Sequence, residues 1–497
     1  MATSKSTAPG ALHFHGYEFL GPPGAFVMSF GLPLLCWTFG LLCNDVTGCP
    51  ATSLLHPSTM TLESLKHDVG WHGWSTIYNH KAFLANLGYY TLSLVLYRFL
   101  PAIESEGTEL RNGRRLQYRF NAFSSAMFIF SILAAGTLLN GADWVVWTFI
   151  YDNYIPLLTS NIILSYFFAT FCYVRSFAVK NNDPDSRLLG PGGISGNILY
   201  DWFMGRELNP RVNLPIIGTV DIKIWMEMRP GLTGWLIMNY TFCAAQYRHF
   251  GYVTDSMLMT TIAQTVYVLD ALYMEPAILT TIDILQDGFG FMLSFGDIVW
   301  VPFTYSLQTR YLAIHPVDLG PYLALPVGVL AVGYYIFRAT NNEKNRFRTN
   351  PDDPKISHLK YIDTATGSKL LVSGWWGRAR HINYLGDWCM SWAYCLPTGI
   401  AGYQVLRGAA AVAAGVNEGN LGPNGGFAIK NAKDWTVVVP GEARGWGIPV
   451  TYFFMVYFAV LLVHRERRDE EKCRNKYGKD WERYCEKVPS RIIPGVY

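Results

Sequence analysis

Charge is what this sequence has least of. Only 15% of its 497 residues are Asp, Glu, Lys or Arg, against about 25% in a typical soluble domain. The shortfall is spread along the whole chain, which excludes an ordinary soluble globular protein. The net charge is only +3, so no nucleic-acid partner is implied. Nine cysteines are scattered without any Cys-x-x-Cys or His/Cys cluster at zinc spacing. No Gly-x-Gly-x-x-Gly opens a helix after a strand, which excludes a Rossmann domain. The start lacks the basic n-region, short apolar stretch and small-residue cleavage site of a secretory leader. There is no internal repeat, and low complexity is confined to 408–428.

What is present is apolar length. Half of the residues are hydrophobic, and a bilayer crossing takes about 20 of them in a row. Residues 23–43 are free of charge and form the clearest span. Further expected spans lie near 77–98, 121–141, 160–178, 231–250, 256–274, 293–313, 319–338, 384–406 and 448–464, about ten in all. The apolar stretch 143–156 is too short to span and is expected at the interface or in a neighbouring helix. The basic loops after the second, fourth and eighth expected spans carry Arg111, Arg114, Arg115 and Arg119, then Arg175, Lys180, Arg187, Arg206 and Arg211, then Arg338, Lys344, Arg346 and Arg348. With the basic tail after 464, all fall on one side if both termini are cytosolic. Cys43 and Cys49 flank a loop on the opposite, lumenal side; a disulfide and two free thiols both remain open.

Three polar stretches stand against this apolar ground. They are Gly196-Asn-Ile-Leu-Tyr-Asp-Trp-Phe-Met-Gly-Arg-Glu-Leu-Asn-Pro-Arg211, Gly374-Trp-Trp-Gly-Arg-Ala-Arg-His-Ile-Asn-Tyr384, and Arg468-Asp-Glu-Glu-Lys-Cys-Arg-Asn-Lys-Tyr477. Lys344 and Arg348 share one face of a helix at i,i+4 spacing, a pair suited to phosphate oxygens. The plain alternative is a basic anchor at the cytosolic edge of a span. Asp469, Cys473, Lys476 and Tyr477 also recur at helical spacing; the alternative for them is a solvated tail helix. Tyr267, Asp270, Glu275, Asp283 and Asp287 are ionisable groups in or beside an apolar run, where a bilayer makes them costly.

In order and in content these stretches resemble the sterol reductases of the ergosterol and cholesterol pathways, from about residue 15 to the C-terminus. Thr280-Thr-Ile-Asp-Ile-Leu-Gln-Asp-Gly-Phe-Gly-Phe291 is similar to the Δ14 branch, its fungal members above all. The resemblance implies an all-α polytopic membrane protein with a C-terminal cytosolic cofactor-binding region. It divides the chain into a cytosolic tail (1–22), a transmembrane bundle with the sterol pocket (23–338), and an NADPH-binding region (339–497) that carries a lumenal insert at 408–447. The implied reaction is reduction of the C14=C15 bond of Δ8,14-sterols: a proton adds at C15, and the tertiary cation at C14 takes hydride from NADPH. The alternatives are reduction at Δ7, or a non-catalytic sterol-binding or structural protein of the lamin B receptor type.

Carried over residue by residue, the resemblance places NADPH on Lys344, Arg348, Leu371, Trp376, Asn383, Tyr384, Asp469, Cys473, Arg474, Asn475, Lys476, Tyr477 and Tyr484. Tyr267 is the first candidate for the proton donor, with Glu275 or Asp283 as an acid behind it; the alternative for Tyr267 is a packed ring in the bundle. The implied partners are a sterol delivered by the lipid bilayer and other enzymes of sterol biosynthesis. The implied location is the endoplasmic reticulum membrane.

Overall fold

The computed structural model describes residues 14–399 except 15, 47, 50, 52–57, 59, 110–112 and 181–186, together with 403–407, 427–430, 435–440 and 447–497. The chain divides into two compact units. One runs through Val253 and includes Gln264–His315; the other holds Thr254–Ala263, Pro316–Ile429 and Trp435–Tyr497.

The first unit is a helical assembly: α1 (Gly21–Leu42), α2 (Leu62–Asp68), α3 (His80–Phe99), α4 (Ala122–Asn140), α5 (Val145–Asp152), α6 (Tyr154–Ser176), α7 (Ile198–Met204), α8 (Ile222–Met226) and α9 (Leu232–Phe250). The boundary between the units falls inside α10 (Asp255–Tyr273), after which come α11 (Ile282–Leu285), α12 (Phe291–Phe295), α13 (Val301–Thr304) and α14 (Leu307–Ile314). Local chemistry sets several starts. The Asn79 side chain accepts from the amide of Ala82 at 2.8 Å and opens α3, and Asp221 does the same for Ile224 at the start of α8.

Inside the unit, polar groups are shared between helices rather than left facing lipid. Gln264 Oε1 accepts from Trp235 Nε1 at 2.9 Å and from Asn239 Nδ2 at 2.6 Å, and Asn239 Oδ1 accepts from Thr309 at 2.7 Å. Arg310 donates to the carbonyls of Gly40 and Cys43 and lies over the Tyr154 ring, which pins the end of α1. Immediately beyond, Cys43 and Cys49 are joined in a disulfide.

Among the described residues, four helical stretches are long and apolar enough to cross a bilayer: Gly21–Leu42, Ala122–Asp143, Tyr154–Ser176 and Gly320–Thr349. Two expected spans have a different form. The stretch 293–313 is not one helix: α12 passes into a π-helical segment, Gly296–Trp300, then α13 with Pro302 at its start, then α14. In the stretch 384–406 the helix α16 (Ile382–Cys395, 14 residues) ends in a 3-10 turn, Leu396–Thr398, and residues 403–406 belong to a strand. Pro397 has no amide to continue the ladder, and Gly399 leaves it at φ +91°. The stretch 143–156 supplies a short helix of its own, α5, and the first turn of α6.

The described residues are mostly helical, as expected of an all-α fold, and they also include short β-hairpins. β1 (Ile103–Glu109) and β2 (Arg115–Phe120) form an antiparallel hairpin in the basic loop after α3. Leu116, Tyr118 and Phe120 are buried, while Arg115 and Gln117 are exposed and Arg119 half-buried, a period of two that packs one face on the bundle. β3 (Arg211–Leu214) and β4 (Gly218–Asp221) form a second hairpin.

The second unit contains α15 (Ala324–Thr349), the hairpin β5 (Tyr361–Asp363) and β6 (Lys369–Leu371), α16, α17 (Gly447–Tyr477) and α18 (Lys479–Lys487). Three further strands, β7 (Tyr403–Arg407), β8 (Phe427–Lys430) and β9 (Trp435–Pro440), form one sheet in the order β7-β9-β8. Of the expected insert at 408–447, only the residues of β8, β9 and the start of α17 lie among those described. α15 and α16 touch backbone to backbone. A Cβ at Gly333 would stand 2.9 Å from Gly386 O, and one at Gly386 would stand 2.6 Å from Phe337 N. Small residues at such a crossing are what close helix packing requires.

Candidate functional site: a charged cluster at the helix ends of the second unit

α15 continues well beyond its apolar part and ends in a basic last turn. Lys344 and Arg348 sit there one turn apart. Lys344 is half-buried, and its ammonium lies 3.9 Å from the centroid of the Trp376 ring. Trp376 is buried and donates from its indole N–H to the carbonyl of Thr340 on the same helix at 2.9 Å. The loop from β6 to α16 is held beside it by Glu343, which accepts from the amide of Trp375 at 2.9 Å. Gly374 adopts φ +67° at this contact, and a Cβ there would meet the Glu343 carboxylate at 2.7 Å.

α16 begins where that loop ends. The Tyr384 ring stacks on His381 at 5.1 Å between centroids. His381 Nε2 faces Asp469 Oδ2 on α17 at 3.8 Å. Burial, and then the charges of Lys344 and Arg380, push the His381 imidazole down to about 3. The ring is therefore neutral at physiological pH; the Asp469 carboxylate, half-exposed and long in distance, does not offset its burial. Arg380 carries the fixed frame. It lies 3.4 Å from Glu470 and donates to the carbonyls of Val488 and Pro489, while the amide of His381 donates to Arg491 O at 2.7 Å.

The resemblance-derived cofactor residues thus divide into three groups. Lys344, Arg348, Trp376, Asn383, Tyr384, Asp469 and Cys473 belong to this charged cluster; Arg348, Asp469 and Cys473 all act electrostatically on Lys344. Burial pushes the Cys473 thiol up to about 12, so it meets any ligand as a neutral S–H. Leu371 and Tyr484 are packed: Leu371 with Phe347 and Trp376, Tyr484 with Ile362, Trp481 and Val488. Arg474, Asn475 and Lys476 are exposed on α17, Arg474 pairing with Glu470 and Lys476 lying over Tyr477, whose ring stacks on Trp481.

Around the start of α16 stand buried groups, one of them on Asn383, which the resemblance had named, and three on His381, Asp387 and Trp388, which it had not. His381 Nε2, Asn383 Oδ1, Asp387 Oδ1 and Trp388 Nε1 are buried atoms with no hydrogen-bond partner among the described residues. Such orphaned groups are costly unless a ligand or water completes them. His381 was within the motif at 374–384 and Asp387 stands one turn beyond Asn383, so helical spacing was the available signal. Among the described residues no group of His, Cys, Asp and Glu is arranged to hold a metal ion.

The candidate acids lie in the first unit. Tyr267 is half-buried, its ring 6.2 Å from that of Trp235. Glu275 is buried against Arg229, with Oε1 3.2 Å from Nη1, and its Oε2 accepts from the amide of Ala122 at 2.7 Å. Arg229 is further held by Asn121 and by the Tyr97 ring. The backbone carbonyls of Asp283 and Asp287 both accept from the fully buried Lys223, each at 2.6 Å.

A family model described as the ergosterol biosynthesis ERG4/ERG24 family matches residues 14–497. The chain belongs to that family. It is 57% identical to a protein of Gibberella zeae named Delta(14)-sterol reductase ERG24A, over 99% of either chain. It is 56% identical to the Delta(14)-sterol reductase of Neurospora crassa, over 100% of this chain and 98% of the relative. With the Delta(14)-sterol reductase erg24 of Schizosaccharomyces pombe the identity is 42%, over 97% of both.

Proposed function

We propose that this protein is an NADPH-dependent Δ14-sterol reductase, reducing the C14=C15 bond of Δ8,14-sterol intermediates in ergosterol biosynthesis. The observation that carries this is the full-length identity of 57% to a protein of that name. The charged cluster supports the cofactor. Lys344 and Arg348 supply a point charge and a fork for phosphate oxygens. The unpartnered Asn383 Oδ1 and the neutral His381 offer an acceptor and a ring nitrogen to ribose or carboxamide groups. Bound there, NADPH supplies the hydride. Trp376 and Gly374 hold the cation and the loop in place.

The protein itself must supply a proton and exclude water from the C14 cation. Tyr267 is the proposed donor, with Asp283 as the acid behind it. Glu275 faces a guanidinium that stays charged, and we assign it to holding Arg229 rather than to protonation. In this proposal the chain crosses the endoplasmic reticulum membrane about ten times with both termini cytosolic, and takes its sterol from the bilayer. The Cys43–Cys49 bridge supports a lumenal position for that loop, since disulfides persist in oxidising compartments. Other enzymes of sterol biosynthesis are the proposed neighbours.

The sterol profile of cells lacking this chain tests the reading. Accumulation of Δ8,14-dienes is expected. Accumulation of Δ7 intermediates instead would move the activity to another branch, and an unchanged profile would favour a non-catalytic protein.

A further inference from the structure

An apolar cavity lies wholly within the first unit. Its volume is about 460 Å³, and α3, α4, α5, α6 and α9 contribute its walls. That is within the range of small-molecule sites. None of its lining residues is charged, and none is a candidate cofactor residue or acid. Ile132 and Val145, on its rim, are 48% and 67% exposed. α4, which carries Ile132, is one of the helices long and apolar enough to cross a bilayer.

The inner wall has uncommon backbone. Pro230 and Ile298 come from two π-helical segments, Glu227–Gly231 and Gly296–Trp300. They press together closely enough that a Cβ at Gly231 would stand 2.6 Å from Asp297 O. Single π-turns occur mostly at functional positions. The Tyr89 hydroxyl caps the carbonyls of Arg229 and Pro230. Beside it the Tyr90 hydroxyl donates to Asn161 Oδ1. Asn86 and Asn161 both donate to Leu157 O, at 3.2 and 2.9 Å. Asn86 Oδ1 then accepts no hydrogen bond from the described residues, and it is a free amide acceptor on a helix that lines the chamber. On the same helix Gly88 is exposed and borders the cavity, and a Cβ there would meet nothing within 4 Å, so a larger side chain fits there without a backbone clash.

We propose that this cavity binds a sterol alcohol entering from the bilayer, with its hydroxyl donating to Asn86 Oδ1 and its rings against Tyr89, Phe149 and Phe303. A neutral lining does not fit a phosphate headgroup or a fatty acid, whose charge would be buried unpaired. A free amide oxygen fits the donor of a hydroxyl. The site holds this sterol and does not reduce it, since both lining phenols are already committed and no carboxylic acid lines the chamber. The choice of a sterol among neutral lipids rests on the proposed sterol reductase function; the cavity itself does not.

The test uses the full chain in lipid nanodiscs and a photoreactive sterol alcohol, with labelled peptides mapped by mass spectrometry. Labelling is expected in α3 and α5. Unlabelled sterol alcohol should compete at least about fivefold better than its analogue lacking the hydroxyl, the factor of one net hydrogen bond. Gly88→Leu places a larger side chain at the cavity's border and should reduce labelling at least about tenfold, with NADPH-dependent turnover retained. Absence of label in α3 and α5 would overturn the proposal. So would equal competition by the hydroxyl-free analogue, or competition by phosphatidylcholine as strong as by sterol, which would make the occupant an acyl chain. The competition pair needs only the unmodified protein, so it decides the matter even if Gly88→Leu misfolds. A wild-type protein that labels as expected but never oxidises NADPH would defeat the proposed function and leave this site standing.

Discussion

The ammonium of Lys344 lies 3.9 Å from the ring centroid of Trp376, and that ring is itself anchored to the carbonyl of Thr340, one turn back on the same helix. The cation is therefore held in place before any ligand arrives. This favours recognition of phosphate over simple anchoring at a membrane edge, since an anchoring lysine gains nothing from a fixed position. A fixed cation loses less side-chain entropy on binding.

Replacing Lys344 or Arg348 by Ala should raise KM for NADPH at least about tenfold, the equivalent of losing one charge-assisted bond of roughly 1.5 to 3 kcal/mol. KM for sterol should change little. Trp376→Leu removes the cation–π contact, worth about 0.5–2 kcal/mol, and should give a smaller effect of the same kind. Steady-state kinetics with each substrate varied in turn measures both. An unchanged KM for NADPH in both charge variants would return the pair to an anchoring role.

His381 gives the fold an acid sensitivity with a definite sign. Its imidazole titrates near 6.5 when exposed and at about 3 in the folded protein, because burial and then Lys344 and Arg380 oppose a positive ring. Between those values the unfolded chain binds a proton that the folded one refuses. Stability is thus fully present above about pH 6.5 and lost as pH falls toward 3, by at most about 2 kcal/mol at pH 5. Melting temperatures in detergent from pH 7 to pH 4 should fall less steeply for His381→Gln than for the unmodified protein. Parallel curves would mean that the ring is protonated in the folded state, paired with Asp469.

The Arg229–Glu275 pair separates a structural role from a catalytic one. Removing one partner of a buried ion pair costs about 3–5 kcal/mol, whereas replacing both by apolar groups is often neutral. Arg229→Met and Glu275→Leu should each lower yield and thermal stability, and the double variant should recover most of both. Recovered stability together with recovered turnover would assign Glu275 to holding Arg229. Recovered stability with no turnover would return Glu275 to the candidate acids.

What the sequence disclosed about this protein was local. Lys344 with Arg348, and Asp469 with Cys473, share a helical face, and period alone shows it. Apolar length revealed the long spans, but it also carried an expected span across Pro397, where α16 stops. The β1–β2 hairpin was legible in the alternation of Leu116, Tyr118 and Phe120 with Arg115, Gln117 and Arg119, but the arginines gave that stretch the character of a basic loop. Partners far apart in the chain left no such trace. Nothing in the neighbourhood of Glu275 announces Arg229, and nothing near Asp283 announces that Lys223 binds its backbone. The same holds for the orphaned atoms of His381, Asp387 and Trp388, whose meaning depends on what surrounds them.

The crossing of α15 and α16 offers the sharpest structural test, because the proposed cofactor residues ride on both helices. Lys344 and Arg348 extend from α15, and Asn383 and Tyr384 open α16. Their spacing is set by Gly333 and Gly386. A methyl group at Gly386 would stand 2.6 Å from Phe337 N and 2.8 Å from Gly333 O, both backbone atoms that cannot rotate away. Gly386→Ala must therefore separate the helices, and overpacking of this kind typically costs about 1–3 kcal/mol. Gly328 lies on the same helix as Gly333, yet a Cβ there would meet nothing within 4 Å. Gly328→Ala should accordingly be silent, or slightly stabilising through helix propensity. NADPH affinity, measured by fluorescence titration of the purified protein, should weaken in Gly386→Ala and stay unchanged in Gly328→Ala. Equal affinity in both would mean that the cluster tolerates a wider crossing, and that Lys344 and Asn383 do not act on one ligand.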